Sequence, residues 1–294
     1  MNDKAILKPK TARVRLPFNV HKALRTFAAV VVLLCVLIPL SMMVTVSLNP
    51  SEENILINMG TIHAFIPQVV SLQNYKEVLQ DPYQPFLRYL FNTLLVVFCT
   101  VGTGIFINSA AAFALAWGNG GYRKIYLMII IAVFVIPGEA LTIPLLLVVS
   151  KLGWIDSYQV QIVPFIASTF SIFLFYQFFS KLPQEIIEAA RMDGARLFQI
   201  YFRIAFPLST PVIATVSILG FLDAWNSYLW PLMVTRGTEF RPLGVAMAAF
   251  FGTQQAYWGN IMAFAVLMTL PIIIVFLVFQ KYFVASVVGS GVKG

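Results

Sequence analysis

Residues 26–48 read TFAAVVVLLCVLIPLSMMVTVSL and contain no charged side chain. At a rise of ~1.5 Å per residue, a helix of this length crosses the ~30 Å hydrocarbon core of a lipid bilayer. A basic segment precedes the stretch, as in a cleavable signal peptide. However, the uncharged run exceeds the usual ~7–15 residues of a signal's apolar region, and no A-x-A cleavage pattern follows it. We therefore expect an uncleaved first transmembrane helix.

Five further apolar stretches follow, each long enough to span a bilayer as a helix. The six stretches together are residues 26–48, 89–117, 125–149, 158–179, 204–229 and 257–280. The chain is 59% hydrophobic and 11% charged, whereas soluble domains have about 45–50% and about 25%. The short alternating segments of a membrane β-barrel do not occur. The sequence therefore predicts an all-α integral membrane protein with six transmembrane helices.

The distribution of Lys and Arg indicates the orientation. Fifteen of the 20 lie in residues 1–25, just after the second stretch, in 180–203, or after the sixth. Because cytoplasmic loops carry the excess of basic residues, we expect both termini in the cytoplasm. We assign residues 1–25 to a basic N-terminal segment, 26–284 to the six-span domain and 285–294 to a C-terminal tail. The net charge of +8 therefore reflects membrane topology and not nucleic-acid binding.

Three of the segments between the spans are long enough to matter, two on the outer side and one in the cytoplasm. Residues 49–88 contain several acidic residues and prolines and read as a loop with one short helix around 72–79. Residues 230–256 form a second outer segment, rich in aromatic residues and Gly. The loop between the fourth and fifth stretches carries most of the functional information.

This loop contains PQEIIEAARMDG, residues 183–194. Proline suits the first turn of a helix, an early Glu complements the helix dipole, and Gly194 can take the left-handed conformation that ends a helix. One apolar face should contain Leu182, Ile186, Ala189 and Ala190. A second short helix, 197–203, should lead into Pro207 and the fifth span. The pair is either a docking element or an amphipathic hairpin on the membrane surface.

A set of spaced residues in this loop resembles the EAA loop of the permease subunits of bacterial binding-protein-dependent ABC importers. The set is Glu188-Ala189-Ala190, Asp193-Gly194 and, after nine intervening residues, Ile204-Ala205-Phe206-Pro207. The family usually has Leu where this chain has Phe206. Further segments resemble the carbohydrate branch, the MalG-like permeases: LGWIDSY at 152–158, Trp225-Asn226 before Pro231-Leu232, WGNIMA at 258–263 and the closing GVKG at 291–294. The resemblance covers nearly the whole chain from the first span onward.

The resemblance implies a multi-pass permease of the bacterial inner membrane whose loop 180–207 docks into a cytoplasmic ATPase. The residues implied in coupling are Glu188, Ala189, Ala190, Asp193, Gly194, Ile204 and Pro207, with Lys293 in the tail. The implied partners are a second, different permease, two ATPase subunits and a periplasmic solute-binding protein that delivers a sugar. ATP and Mg would bind to the ATPases and no cofactor to this chain, which agrees with its lack of a G-x-x-x-x-G-K-[ST] run. An acidic oligosaccharide or a glycerol phosphate compound is the alternative cargo.

Two acidic residues, Glu139 and Asp223, fall within apolar stretches. Charges at membrane depth are costly and mark functional sites by default, so we expect these two, with Trp225 and Asn226, along the substrate path. The alternative is that both are interfacial residues bonded to water or backbone. A stand-alone ion-coupled transporter with a relay through Glu139 and Asp223 is the rival class.

We expect no metal site, since Cys35 and Cys99 read as small core residues. The sequence contains no H-E-x-x-H pattern, so it gives no indication of an intramembrane enzyme.

Overall fold

The computed structural model describes residues 20–118, 120–121, 123–253 and 257–291, and every regular element in these ranges is helical. The α-helices are α1 Val20–Ser47, α2 Glu52–Asn58, α3 Gln73–Gln80, α4 Phe86–Trp117, α5 Arg123–Phe134, α6 Thr142–Lys151, α7 Tyr158–Ile162, α8 Thr169–Phe179, α9 Gln184–Met192, α10 Leu197–Ile200, α11 Phe206–Leu208, α12 Thr210–Trp225, α13 Leu229–Val234, α14 Leu243–Thr253 and α15 Trp258–Gly291. Short 3₁₀ helices cover Ile62–Ala64, Gly138–Leu141 and Val163–Phe165, and a π-helix covers Tyr201–Ala205.

Six transmembrane helices can be assigned within the described residues, which confirms the predicted fold class. Four spans are Lys22–Ser47, Phe86–Trp117, Tyr158–Phe179 and Trp258–Gln280. The other two lie in bent helix pairs, Arg123–Phe134 with Gly138–Lys151 at 94° and Leu197–Leu208 with Thr210–Trp225 at 74°, and the second of these pairs includes the end of the cytoplasmic loop. The predicted boundaries of the first, second, fourth and sixth spans agree with the structure to within a few residues.

The third span is broken where its sequence contains proline. Helix α5 ends at Phe134, and Pro137 has extended backbone (φ −60°, ψ 130°). Proline lacks an N–H and disfavours helical backbone in the residue before it, so the helix cannot continue through this point. The 3₁₀ turn that follows contains Glu139, so the break brings a carboxylate into the span.

The helix that leads into the fifth span is longer than the predicted 197–203. The helix that begins at Leu197 continues through the π-helix to Leu208, and the 74° bend falls at Ser209. Pro207 and Pro211 lie on either side of Ser209, and neither can donate a backbone hydrogen bond. The predicted short helix 197–203 is therefore the first part of a longer helix.

The segment between α1 and α4 is folded and not mainly loop. Helix α3 confirms the helix expected around 72–79, but α2 was not predicted. The carboxylate of Glu52 accepts hydrogen bonds at 2.9 Å from the backbone N–H groups of Trp258 and Gly259, which are the otherwise unpaired donors at the start of α15. Asn260 donates to Glu77 at 3.0 Å. The WGN residues 258–260 thus hold this segment against the last span.

The second outer segment, 230–256, also contains helices. Leu243, Ala246 and Phe250 of α14 are fully buried, in one hydrophobic cluster with Tyr89 of α4 and Phe264 of α15. An apolar helix of 11 residues is too short to span a bilayer, so hydropathy could not show that it belongs to the core.

Helix α4 runs through two separate hydrophobic cores. Its first half contributes Phe86, Tyr89 and Val97 to a core with α12, α14 and α15, and its second half contributes Ala112 and Phe113 to a core with α8 and the EAA loop. We expected Cys35 and Cys99 in such cores, but both are exposed. The apolar surface of a lipid-embedded helix is exposed, so hydrophobicity alone does not locate a residue in the core.

We predict that Gly259→Ala destabilises the contact between α3 and α15. A Cβ at Gly259 would lie 2.5 Å from Nδ2 of Asn74. That amide is held by the carbonyls of Ser47 and Asn49 at 2.9 and 2.8 Å, so it cannot move aside freely. The expected cost is about 1–3 kcal/mol, measured as a lower melting temperature of the purified protein. Gly102→Ala is the matched control, because nothing lies within 4 Å of its Cβ position. Equal melting temperatures for the two variants would contradict the packing argument.

Candidate functional site

A cavity of about 750 Å³ lies between the middle of α4, the break of the third span, the fourth span and the end of α12. Its lining mixes hydroxyls, amides, two carboxylates and aromatic rings. The residues are Thr93, Val96, Thr100, Val101, Gly104, Ile105, Asn108, Gly138, Glu139, Thr142, Leu145, Gln161, Phe165, Ile166, Ser168, Ser171, Val216, Gly220, Leu222, Asp223, Ala224, Asn226, Ser227, Tyr228, Leu229, Trp230, Pro231 and Pro242.

Three of the four residues expected along the substrate path line this cavity. Glu139 comes from the 3₁₀ turn that follows Pro137, and Asp223 and Asn226 come from the end of α12. Residues three apart share a helix face, so the last two belong to one wall. Distant parts of the sequence therefore meet in a single cavity.

Trp225 is placed differently from our expectation. Its side chain is 1% exposed, stacks on Phe221 with ring centroids 5.3 Å apart, and belongs to the core cluster of α4, α12, α14 and α15. A residue two positions from Asp223 on a helix turns to the opposite side, which explains why Trp225 is absent from the cavity lining. We correct its assignment from a substrate-path residue to a core residue.

The side chain of Asn108, which the sequence analysis missed, bridges a break in the fourth span. Its Nδ2 donates to the carbonyl of Ile166 at 3.0 Å, and its Oδ1 accepts from the backbone N–H of Ser168 at 2.9 Å. Pro164 and the 3₁₀ turn Val163–Phe165 interrupt the helix here and leave these backbone groups without helical partners. Gly104 permits the close approach, since a Cβ there would lie 3.1 Å from the carbonyl oxygen of Ile166. The sequence signal that could have indicated this role was a polar Asn within an apolar stretch.

The LGWIDSY segment positions another wall of the cavity. Gly153 and Asp156 have positive φ, +70° and +59°, and the Asp156 carboxylate accepts from the backbone N–H of Arg236 at 2.9 Å. Helix α7 follows at once, and Gln161 on it donates to the carbonyl of Phe240 at 2.9 Å. The turn therefore fixes α7 against the connection between α13 and α14.

The EAA loop, residues 180–207, lies at the end of the bundle where α4 ends. Helix α9 confirms the helix predicted from Pro183, and Gly194 has the expected left-handed backbone, φ +78°. The buried face differs from our expectation: Ile187 and Ala190 are buried, while Ile186 and Ala189 are exposed. Ile187 meets side chains of α4 and α8 in one cluster, so tertiary packing determines which face is covered.

Hydrogen bonds join the EAA loop to α4. The guanidinium of Arg191 donates to the carbonyl of Trp117 at 3.0 Å. The indole N–H of Trp117 donates at 2.8 Å to the carbonyl of Phe179, the last residue of α8 before the loop. The hydroxyls of Tyr201 and Ser109 are 2.7 Å apart in a buried environment. The loop is thereby linked to α4 by polar contacts as well as by apolar packing.

The implied coupling residues divide between the surface and the core. Glu188, Ala189, Asp193, Gly194 and Pro207 are exposed. Ala190 is buried and Ile204 is half-buried. Lys293 lies outside the described residues.

These features define a polytopic helical membrane protein with a polar cavity among its spans and a rigid two-helix projection at one end. Residues 104–289 match the family model described as "Binding-protein-dependent transport system inner membrane component", and the chain belongs to this family. It is thus a member of the inner-membrane permeases whose EAA loop its sequence resembles.

Relatives align over most of the chain. The arabinooligosaccharides transport system permease protein AraQ of Bacillus subtilis is 32% identical, over 94% of this chain and 98% of that protein. The sn-glycerol-3-phosphate transport system permease protein UgpE of Shigella flexneri is 34% identical, over 70% of this chain and 74% of that protein. A chain in the crystal structure of a bacterial ABC transporter involved in the import of the acidic polysaccharide alginate is 26% identical, with a TM-score of 0.79 over 90% of this chain and 96% of that chain.

We predict that Asn108→Leu loosens the break in the fourth span. The substitution keeps side-chain size but leaves the carbonyl of Ile166 and the N–H of Ser168 without their partner. Each unsatisfied buried group costs ~1–3 kcal/mol. Faster hydrogen exchange at residues 166–170 in the purified protein is the expected result. Asn226→Leu is the control, because the Asn226 amide bonds the Leu222 carbonyl of its own helix. Unchanged exchange in Asn108→Leu would show that the side chain does not hold the break.

Proposed function

We propose that this chain is the transmembrane permease subunit of an ATP-driven importer and that its EAA loop transmits the movement of separate ATPase subunits to the substrate cavity. The observation that carries the proposal is the division of the loop into two faces. Ile187, Ala190 and Tyr201 are buried against the spans, whereas Glu188 and Asp193 face outward. A projection fixed on one side and exposed on the other is suited to rigid-body docking.

The outward face also carries apolar side chains. Met192 is 82% exposed and Phe198 is 71% exposed, and both lie within the loop that the family resemblance assigns to ATPase docking. Large exposed apolar residues beside charged ones are typical of protein interfaces. We assign Met192 and Phe198, which sequence reasoning missed, to this docking surface together with Glu188, Ala189 and Gly194.

Two adjacent residues of α4 provide a route from the loop to the cavity. Ser109 contacts Tyr201 of the loop, and Asn108 bonds to the break of the fourth span at Ile166 and Ser168. A movement of the loop would act on α4 at the position where α4 supports the cavity. Closure of two ATPases around ATP would then switch the spans between inward-facing and outward-facing states.

A sugar or oligosaccharide is the proposed substrate, delivered by a periplasmic solute-binding protein. The carbohydrate resemblance of the sequence and the similarity to an arabinooligosaccharide permease support this choice. The cavity supports it too, since it combines hydroxyl, amide and carboxylate groups with aromatic rings. Glu139, Asp223 and Asn226 remain assigned to the substrate path.

The proposed assembly contains this chain, a second permease, two ATPases that bind ATP and Mg, and the solute-binding protein. This chain would hydrolyse no ATP and bind no cofactor or metal of its own. The proposed topology places the EAA loop and both termini in the cytoplasm, and Lys293 in a tail that reaches the ATPases.

Two substitutions in the EAA loop test the coupling role. Glu188→Lys reverses the charge of the proposed interface, which can cost several kcal/mol. Gly194→Val places a β-branched residue at φ +78°, a strain of ~1–2 kcal/mol that reorients the helices on either side. Both variants should lose sugar transport and retain less ATPase on isolated membranes, while remaining inserted, because both residues lie outside the spans.

Gly194→Asn is the matched control for the backbone argument. Asparagine adopts left-handed backbone far more readily than valine, so this variant should keep most of the transport. If Glu188→Lys and Gly194→Val transport normally with ATPase still bound, the docking assignment is wrong.

Single cysteines test the topology in a background that lacks Cys35 and Cys99. A cysteine at Glu53 should react with a membrane-impermeant maleimide from the periplasm, and one at Gln199 should not, since both residues are exposed but at opposite ends of the proposed topology. The Gln199 position should react after the membrane is permeabilised. Labelling of the Gln199 cysteine in cells whose inner membrane is intact, by a reagent that reaches only the periplasm, would contradict the proposed orientation.

A further inference from the structure

We infer that the cavity of this chain forms a substrate subsite for uncharged sugars and that it disfavours acidic ones such as uronates and phosphate esters. The inference rests on the proposed transport function and specifies the substrate class within it. The sequence left neutral and acidic cargo open, and the charges and hydrogen-bond groups of the cavity lining separate them.

The cavity wall contains a buried acceptor without a partner. Gln161 is 3% exposed, and its Nε2 is engaged by the carbonyls of Phe240 at 2.9 Å and Ser157 at 3.4 Å. These two bonds determine which way the amide faces, and they leave Oε1 without a hydrogen-bond partner. The hydroxyl of Thr100, also in the lining, is likewise buried and unpartnered. Two other buried atoms without a partner, Trp225 Nε1 and Arg241 Nε, belong to residues outside the lining. Gln161 and Thr100 line the cavity, so a ligand there that supplies hydrogen-bond donors would pair their unpartnered atoms.

The charged groups of the lining have one sign. Glu139 and Asp223 both line the cavity, and among its lining residues in the described ranges none is Lys, Arg or His. Arg241 precedes the lining residue Pro242 but is not itself part of the lining; its Nη2 donates to the carbonyl of Arg236 at 3.0 Å, and its buried Nε has no hydrogen-bond partner. Carboxylates accept hydrogen bonds from hydroxyls and repel other anions.

Aromatic rings cover the apolar part of the same space. Phe165 and Tyr228 are 43% and 44% exposed and line the cavity. The N–H of the neighbouring Trp230 is already bonded to the carbonyl of Val160 at 2.9 Å, so its ring adds apolar surface to the wall. A sugar presents C–H faces to such rings and O–H groups to the acceptors, and a cavity of about 750 Å³ is of the size that holds small ligands.

The charged groups of the lining suit an anionic substrate poorly. A uronate or phosphate group needs donors or cations, whereas the charged side chains of the lining are the exposed carboxylates of Glu139 and Asp223. The transporter in the similar crystal structure is involved in import of acidic alginate. The acidic lining therefore separates the proposed cargo of this chain from that polysaccharide, although the folds agree.

The experiment measures weak binding to the purified permease pair with its ATPases, without the solute-binding protein. Saturation-transfer NMR is recorded with four probes: the neutral arabinotriose and maltotriose, and the acidic trigalacturonate and sn-glycerol 3-phosphate. The variants are Glu139→Gln with Asp223→Asn, which remove charge with little change in shape. Glu53→Gln is the control, because Glu53 is exposed and outside the cavity lining.

We expect a neutral trisaccharide to bind the wild-type assembly about tenfold or more tightly than either acidic probe. In the double variant, the difference in affinity between neutral and acidic probes should become smaller, chiefly because the acidic probes bind more tightly. Glu53→Gln should leave this difference in affinity unchanged. Equal or tighter binding of an acidic probe to the wild type would overturn the inference. Binding of none of the four probes would also overturn it, since the subsite would then not exist. Neither result would touch the proposed ATPase coupling, which the Glu188 and Gly194 variants test separately.

Discussion

Within the hydrocarbon region, every backbone N–H and C=O must find a partner inside the protein, and the rest of this structure depends on how that requirement is met at broken helices. Intact helices satisfy their own backbone. Where proline interrupts the fourth span, Asn108 replaces the missing helical bonds at Ile166 and Ser168. The breaks in the third and fourth spans both contribute to the cavity lining. At the break of the fourth span, the irregular backbone that borders the polar cavity is therefore stabilised by a side chain.

Helix α4 connects the functional parts of the molecule. Its first half packs with α12, α14 and α15, its second half packs with the EAA loop, and its C-terminal carbonyls bind the guanidinium of Arg123. Close-packed cores transmit displacement because they leave little free space for side chains to absorb it. The adjacent residues Asn108 and Ser109 give this helix one polar contact to the cavity and one to the loop. In the proposed mechanism, this arrangement favours concerted movement of the cavity and the EAA loop over independent movement.

The segment between α1 and α4 has a comparable structural role at the start of the last span. Glu52 pairs with the first backbone N–H groups of α15, Asn260 bonds Glu77, and Gly259 leaves room for Asn74. The WGN residues that resemble a family motif are explained by these contacts. Their partners lie about 180–210 residues away in sequence, so no local pattern could have revealed them.

The sequence by itself determined the membrane class, the number of spans, the helix before Gly194 and the left-handed backbone at Gly194. These features depend on local properties: uninterrupted apolar length, proline at a helix start and the conformational freedom of glycine. It also identified Glu139 and Asp223, because a carboxylate in an apolar stretch is conspicuous. Only the tertiary structure decided that these two share one cavity with Gln161, that Trp225 belongs to the core, and that α14 is buried rather than merely external. Those outcomes depend on which helix faces meet, and facing surfaces are set by packing between residues that are distant along the chain.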